Sequence, residues 1–371
     1  MTGNKIPSLY LHVPFCASVC FYCDFPRRVY QSEAADRWLD AVEAELAETS
    51  VSDELETIYI GGGTPSCLSS VQLDRLLSML DPYTGHLREY TVECNPELND
   101  EEKISCLAAH GVNRISMGLQ TADASLLKTA GRRHSAADVK RLVHQISACG
   151  ISNISLDLMY GLPGQTMEQL EESVSFALSC SPAHLSLYSL TIEPGSVFGK
   201  QGIKPIEEDL EADMYDRICS LLKQAGYLHY EISNFAKPGK ESVHNTNVWN
   251  YRDFLGIGFG AWGKDETGRY EHASSLNAYC SDPLFKNYTV LTTQEEMFEC
   301  LMMGLRLKQG ISCAVFQERF GYPPDQVFPE SISSLERKGL LQRNDGWLSC
   351  TERGWPILNF LLVEIMEEAK L

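Results

Sequence analysis

Three cysteines, Cys16, Cys20 and Cys23, stand at C-x3-C-x2-C spacing directly after the apolar run Leu9 to Val13. Three thiolates on one loop can hold three corners of a cubane [4Fe–4S] cluster, where an electron-transfer cluster takes four cysteine ligands. The fourth iron is then open to a small molecule. Structural zinc or free buried thiols are the rival chemistry, but no second Cys or His pair lies at zinc-site spacing. The neighbours Phe15, Phe21, Tyr22 and Phe25 suit a dry, oxygen-shielded pocket. The other ten of the thirteen cysteines are scattered without pairing, and the opening Met1-Thr2-Gly3-Asn4-Lys5 has no apolar leader core. Reduced thiols and a cytoplasmic setting are therefore expected, not a disulfide framework.

Such a loop must be positioned by its flanking elements. The first two-thirds of the chain alternate short apolar runs with amphipathic stretches, the pattern of βα units around a parallel sheet. Strands are expected at Leu9–Val13, Thr57–Ile60, Tyr90–Cys94, Arg114–Gly118, Ile154–Leu158 and Leu185–Leu190, with helices between them such as Ala34–Glu48 and Ser69–Leu80. Serines before the second of these can cap it. Six units predict an α/β fold with a partial (β/α)6 TIM-like barrel, open on one side for a large substrate. Active sites of such barrels lie at the C-terminal strand ends. That rim collects the cysteine loop, Gly61-Gly62-Gly63-Thr64-Pro65, Glu93, Gln120 and Asp157, with Arg132 just beyond. Each could be an ordinary turn or surface residue, and their shared position argues for a polar site.

The pattern changes near residue 235, which divides the chain into a barrel over 1–235, a connecting segment over 236–290 and a closing unit over 291–371. The last unit reads as helices at Glu295–Leu307, Ala314–Phe320 and Ser331–Lys338, a hairpin turning at Asn344-Asp345-Gly346, and a final helix, an order resembling a winged-helix α+β domain. Residues 290–371 hold eight Lys and Arg against twelve Asp and Glu, and the whole chain carries 31 against 50, a formal charge of −19. That surface repels phosphate backbones, so no nucleic acid is expected as a partner. No window approaches the roughly twenty apolar residues of a membrane span, so any membrane contact would be peripheral. The Gly256-x-Gly258-x-Gly260 run has no strand–helix context for a phosphate loop.

Taken together, Leu9-Tyr10-Leu11-His12-Val13-Pro14-Phe15-Cys16, Gly61-Gly62-Gly63-Thr64-Pro65-Ser66, Asn113 to Gln120 and Asp157 to Gly164 resemble the HemN-like branch of the radical S-adenosylmethionine (SAM) family. The resemblance covers nearly the whole chain. It implies a [4Fe–4S] cluster on Cys16, Cys20 and Cys23, an electron donor for it, and SAM held by Tyr10, Tyr22, Gly62, Gly63, Thr64, Glu93, Gln120, Arg132 and Asp157. Asp157 sits between Leu156 and Leu158, where an unpartnered charge is costly, and ribose hydroxyls would satisfy it. The oxygen-independent coproporphyrinogen III oxidases of the branch carry a further cysteine two residues after the third, where this chain has Phe25, and a longer N-terminal segment than the fifteen residues before Cys16. The chain resembles instead the HemW haem-chaperone subgroup, which implies haem as cargo and a haem-accepting protein as partner, without coproporphyrinogen oxidase activity. A radical SAM enzyme, either such an oxidase or a methyltransferase acting on a flat aromatic substrate, is the alternative. The subgroup's H-N-x-x-Y-W signature falls on His244-Asn245-Thr246-Asn247-Val248-Trp249, with valine in the tyrosine position. His244 offers an axial imidazole and Trp249 a stacking face; the plainer reading is that His244 and Asn245 cap a loop against the barrel.

Overall fold

The computed structural model describes residues 6–52, 54–97, 100–273 and 275–369; the opening Met1 to Lys5 lie outside the described residues. The six expected strands all form: β1 (Ser8–Val13), β2 (Thr57–Gly62), β3 (Glu89–Cys94), β4 (Arg114–Gln120), β5 (Asn153–Tyr160) and β6 (His184–Ser189), each paired in parallel with the next. Helices α1 (Ser32–Glu48), α2 (Ser70–Leu80), α3 (Glu101–Ala109), α4 (Ala136–Ala148), α5 (Met167–Ser179) and α6 (Glu208–Gln224) pack outside. Ser69 caps α2 in a reciprocal box with Gln72, and Ser135 with Asp138 and Thr166 with Gln169 do the same for α4 and α5. These boxes satisfy backbone donors that a helix N-terminus leaves unpaired.

The sheet continues beyond the six units. On one edge β7 (Leu228–Glu231) and β8 (Asn234–Ala236) add antiparallel; after α7 (Val243–Trp249), β9 (Phe254–Ile257) joins β1 in parallel, with Leu9 opposite Leu255. Strands β10 (Trp262–Asp265), β11 (Gly268–His272) and β12 (Lys286–Thr289) extend that edge antiparallel, giving the order β12-β11-β10-β9-β1-β2-β3-β4-β5-β6-β8-β7. Segment 236–290 is thus woven into the barrel sheet. Gly256 lies within β9, where a Cβ would meet the Trp262 carbonyl oxygen at 2.0 Å, so this glycine serves strand packing.

Along β1 to β6 the side chains alternate strictly. Leu9, Leu11, Ile58, Ile60, Val92, Ile115, Met117, Leu156, Leu158 and Leu185 face the helices and are buried with Trp38 and Leu39 of α1 in one core. Tyr10, His12, Tyr59, Glu93, Arg114, Ser116, Asp157, Ser186 and Tyr188 fall on the opposite parity and face the barrel interior, which is polar.

The closing unit has its own core around Leu301, Phe316, Phe328, Ile332, Leu335, Leu348 and Ile365. Helices α8 (Thr293–Gly304), α9 (Cys313–Phe320), α10 (Pro329–Arg337) and α11 (Leu358–Ala369) surround a small sheet in which β13 (Ile311–Ser312) and β14 (Leu341–Asn344) both flank β15 (Trp347–Cys350). Asp345 and Gly346 turn the β14–β15 hairpin with φ of 49° and 82°, the two positive values a type I′ turn requires. Among the described residues no helix is long and apolar enough to cross a membrane.

Candidate functional site

The cysteine loop leaves β1 and is closed on itself: Phe15 pairs with Arg28 and Cys16 with Val29 in a two-residue parallel bridge. Its middle is held from outside, because the Phe21 amide donates to the Ala130 carbonyl and the Phe21 carbonyl accepts from the Phe198 amide. Cys16, Cys20 and Cys23 all line one cavity of about 410 Å³ at the C-terminal strand ends. Three thiols on one cavity suit a cubane, whose ligands sit on separate irons. Burial raises the thiol of Cys16 and pushes that of Cys23 up to about 11.

The groups around the thiols come from successive strand ends. The Thr64 hydroxyl donates to Cys16 Sγ at 3.6 Å and accepts from Asn95 Nδ2 at 3.3 Å. Arg132 spans the mouth, donating to Cys20 Sγ at 3.4 Å, the Gly118 carbonyl at 2.9 Å and Asn95 Oδ1 at 3.1 Å. Its Nε is buried without a partner. Gln120 holds φ at 63°, a left-handed conformation rare outside glycine, where the β4–β5 register shifts. Glu93 accepts from Tyr59 Oη at 2.7 Å and the Gly62 amide at 3.1 Å, and burial pushes its carboxyl up to about 7.

Of the nine positions expected to hold SAM, Tyr22, Gly62, Gly63, Thr64, Glu93, Gln120, Arg132 and Asp157 line this cavity. Tyr10 is not among its lining residues. It bonds His12 Nδ1 at 2.9 Å and, with His12, lines a neighbouring cavity, so the inward side chains of β1 face that second cavity. Asp157 finds its partners within the sheet, accepting from Ser116 Oγ at 3.2 Å and Ser155 Oγ at 3.3 Å, so the need for an outside hydroxyl is smaller than its apolar flanks suggest. Phe25 is 62% exposed and does not bury the loop, whereas Phe15 does. The glycines answer to protein contacts: a Cβ on Gly62, at φ 103°, would meet the His12 ring at 2.4 Å, and one on Gly63 the Phe15 carbonyl oxygen at 2.6 Å.

The neighbouring cavity, about 430 Å³, lies on the β1 and β9 side of the barrel and is walled by Tyr10, Tyr59, Tyr188, His244, Trp249 and Trp262. It shares Phe25, Tyr59, Tyr188 and Asn245 with the cysteine cavity. Helix α7 is wedged there by Glu89, which accepts from Ser242 Oγ at 3.0 Å and from the amides of Val243 and His244 at 2.8 and 3.1 Å. His244 is buried, its Nδ1 lies 2.9 Å from Thr57 Oγ1, and burial lowers its pKa to about 4, so the ring is neutral. The Arg306 guanidinium covers one face of Trp249 at 4.4 Å.

The sequence profile of the Radical SAM superfamily matches residues 10–177, and that of the HemN C-terminal domain residues 291–357. Over 365 residues the chain is 39% identical to the heme chaperone HemW of Bacillus subtilis, covering 94% of this chain and 96% of that one. HemW of Escherichia coli is 32% identical over 98% of this chain and its own full length. The chain belongs to the HemW family of radical SAM proteins. Its fold matches the coproporphyrinogen III oxidase HemN of Escherichia coli with a TM-score of 0.84, over 98% of this chain and 90% of that chain, at 21% identity.

Membership in this radical SAM family brings a [4Fe–4S] cluster and SAM as cofactors. Three thiols on one cavity wall and an arginine with an unspent donor at its mouth fit a cluster carrying an anionic ligand. Tyr59, Arg114, Ser116 and Ser186 also line the site and were missing from the expected set. The alternation in Thr57-Ile58-Tyr59-Ile60, Arg114-Ile115-Ser116-Met117 and His184-Leu185-Ser186-Leu187 marks them, since polar residues on one parity of a strand whose other parity is apolar must share a face.

Proposed function

We propose that this HemW-family chain is a cytosolic haem chaperone, built as a barrel with segment 236–290 completing it and a winged-helix-like unit over 291–371. It binds haem in the aromatic cavity and passes it to an acceptor protein. Cys16, Cys20 and Cys23 hold the cluster, and Tyr22, Gly62, Gly63, Thr64, Glu93, Gln120, Arg132 and Asp157 surround SAM. When bound, cluster and SAM supply one-electron chemistry, fed by an electron donor. The observation that carries the reading is the shared wall: Tyr59, Tyr188 and Asn245 face both cavities, so a flat macrocycle beside Trp249 and Trp262 lies next to the cluster site. His244 supplies a neutral imidazole as axial ligand, and Arg306, paired with Glu231 at 3.5 Å and stacked on Trp249, lies on the cavity wall. Thr64 and Arg132 hold Cys16 and Cys20 in place by hydrogen bonds to sulfur.

Anaerobic reconstitution of the cluster, followed by parallel assays for haem binding and coproporphyrinogen conversion, tests it. The expected result is one haem per chain, a Soret band altered by His244→Ala, and no porphyrinogen oxidised. Stoichiometric conversion of coproporphyrinogen III by the wild type overturns the chaperone reading in favour of an oxidase.

A further inference from the structure

On the outer layer of the barrel, away from both cavities, α2 and α3 bring together a thiol, an imidazole and a carboxylate. Cys106 and His110 lie one helical turn apart on α3 and its C-terminal cap, and Asp74 faces them from α2. Their ligand atoms all fall within 4.8 Å of one another. Asp74 Oδ1 is 3.7 Å from Cys106 Sγ and 3.2 Å from His110 Nε2. A tetrahedral zinc ion with ligands at about 2.0–2.3 Å spaces them about 3.3–3.8 Å apart, so the triad is already near the spacing such an ion needs.

Two further groups complete the arrangement. Asp81, in the turn that follows α2, has Oδ1 2.8 Å from His110 Nδ1. A carboxylate behind the non-ligating nitrogen fixes the ring and aims the other nitrogen at the metal. Tyr90, on the outward face of β3, is 1% exposed, yet its hydroxyl has no hydrogen-bond partner. It lies close enough to Asp81 and Cys106 for their charges to add to the effect of burial in raising its pKa. An ion pair between His110 and two aspartates explains neither the thiol nor this orphaned hydroxyl.

We propose that Cys106, His110 and Asp74 form a binding site for a borderline divalent ion of the zinc class, with Asp81 orienting His110, Tyr90 donating to the ion's carboxylate or water ligand, and the fourth position open to water. The ion ties α2 to α3 and displaces the thiol proton to solvent. It is independent of the cluster and of haem.

The probe is Zn2+ titrated calorimetrically and anaerobically into cluster-loaded protein, with iron content measured before and after. One zinc per chain is expected, beyond the cluster iron. Cys106→Ser and His110→Ala should each weaken it by at least about 100-fold, and Asp81→Asn by about 10–100-fold. Co2+ in place of Zn2+ should give a thiolate-to-metal absorption in the difference spectrum that Cys106→Ser removes. Wild-type circular dichroism and iron content in the variants separate lost binding from misfolding, and Cys149→Ser, at an exposed thiol away from the site, should change nothing. Three results overturn the site: no zinc bound once the cluster is full, zinc bound only when iron is incomplete, or affinity unchanged in both Cys106→Ser and His110→Ala.

Discussion

Replacing Thr57 by valine tests how the barrel presents His244 without touching haem. Thr57 Oγ1 donates to Ser8 Oγ at 2.9 Å, and Ser8 Oγ also accepts from Asn247 Nδ2 at 3.1 Å. With its one proton directed at Ser8, Thr57 can only accept from His244, 2.9 Å away, so Nδ1 carries the hydrogen and Nε2 the lone pair. That tautomer is the one an iron ligand needs. Valine keeps the shape and removes the acceptor, leaving a buried N–H unpaired at a cost of about 1–3 kcal/mol to stability. Losing a group that orients a metal-bound histidine typically weakens the metal by about 10–100-fold, or about 1.4–2.7 kcal/mol. Anaerobic haem titrations on cluster-loaded protein, followed through the Soret band, should show that loss in Thr57→Val and its recovery in Thr57→Ser. Wild-type affinity and spectrum in a folded Thr57→Val protein would refute the tautomer argument, and with it His244 as an Nε2 ligand.

Gly63→Ala places a Cβ against the Phe15 and Val13 carbonyl oxygens, backbone atoms that cannot yield without moving the cysteine loop; iron and sulfide assays after reconstitution should show a clear loss of cluster, while Gly85→Ala, whose Cβ meets nothing within 4 Å, should show none. Cys20→Ala should leave sub-stoichiometric iron and Cys67→Ala full iron, and a complete cluster in the Cys20 variant would remove that ligand from the set. Glu93 gives a pH signature: burial holds its carboxyl at about 7, above its unfolded value of about 4.3. The protonated form therefore contributes stability that is complete below the unfolded value and lost as pH rises through 7, about 4 kcal/mol in all. Melting temperatures at pH 6 and 8 should fall more for the wild type than for Glu93→Gln, and equal falls would count against a buried, neutral Glu93.

The six barrel strands were legible because each carries its own apolar parity, and the cysteine loop because its spacing is local. What lay beyond sequence depends on partners far along the chain. Strands β9 to β12 are broken by Gly256, Gly258, Gly260, Gly263 and Gly268, poor strand formers taken alone; β9 is a strand because β1 offers an open edge to it, residue for residue from Ser8 to Leu11. Helix α7 is a harder case. Val-His-Asn-Thr-Asn-Val-Trp has little helix propensity and is only seven residues long, but Glu89, more than 150 residues earlier, places a carboxylate on its first amides, where the helix dipole favours negative charge. The same reasoning explains Tyr10. Alternation shows that Tyr10, Tyr59 and Glu93 all point inward, and nothing local says which cavity each one meets. That is set by the place of the strand in the sheet: Tyr10 lies opposite Tyr59 in register, yet β1, paired with β9, turns Tyr10 and His12 to the aromatic cavity, whereas Tyr59 on β2 reaches both cavities and Glu93 on β3 only the cysteine cavity.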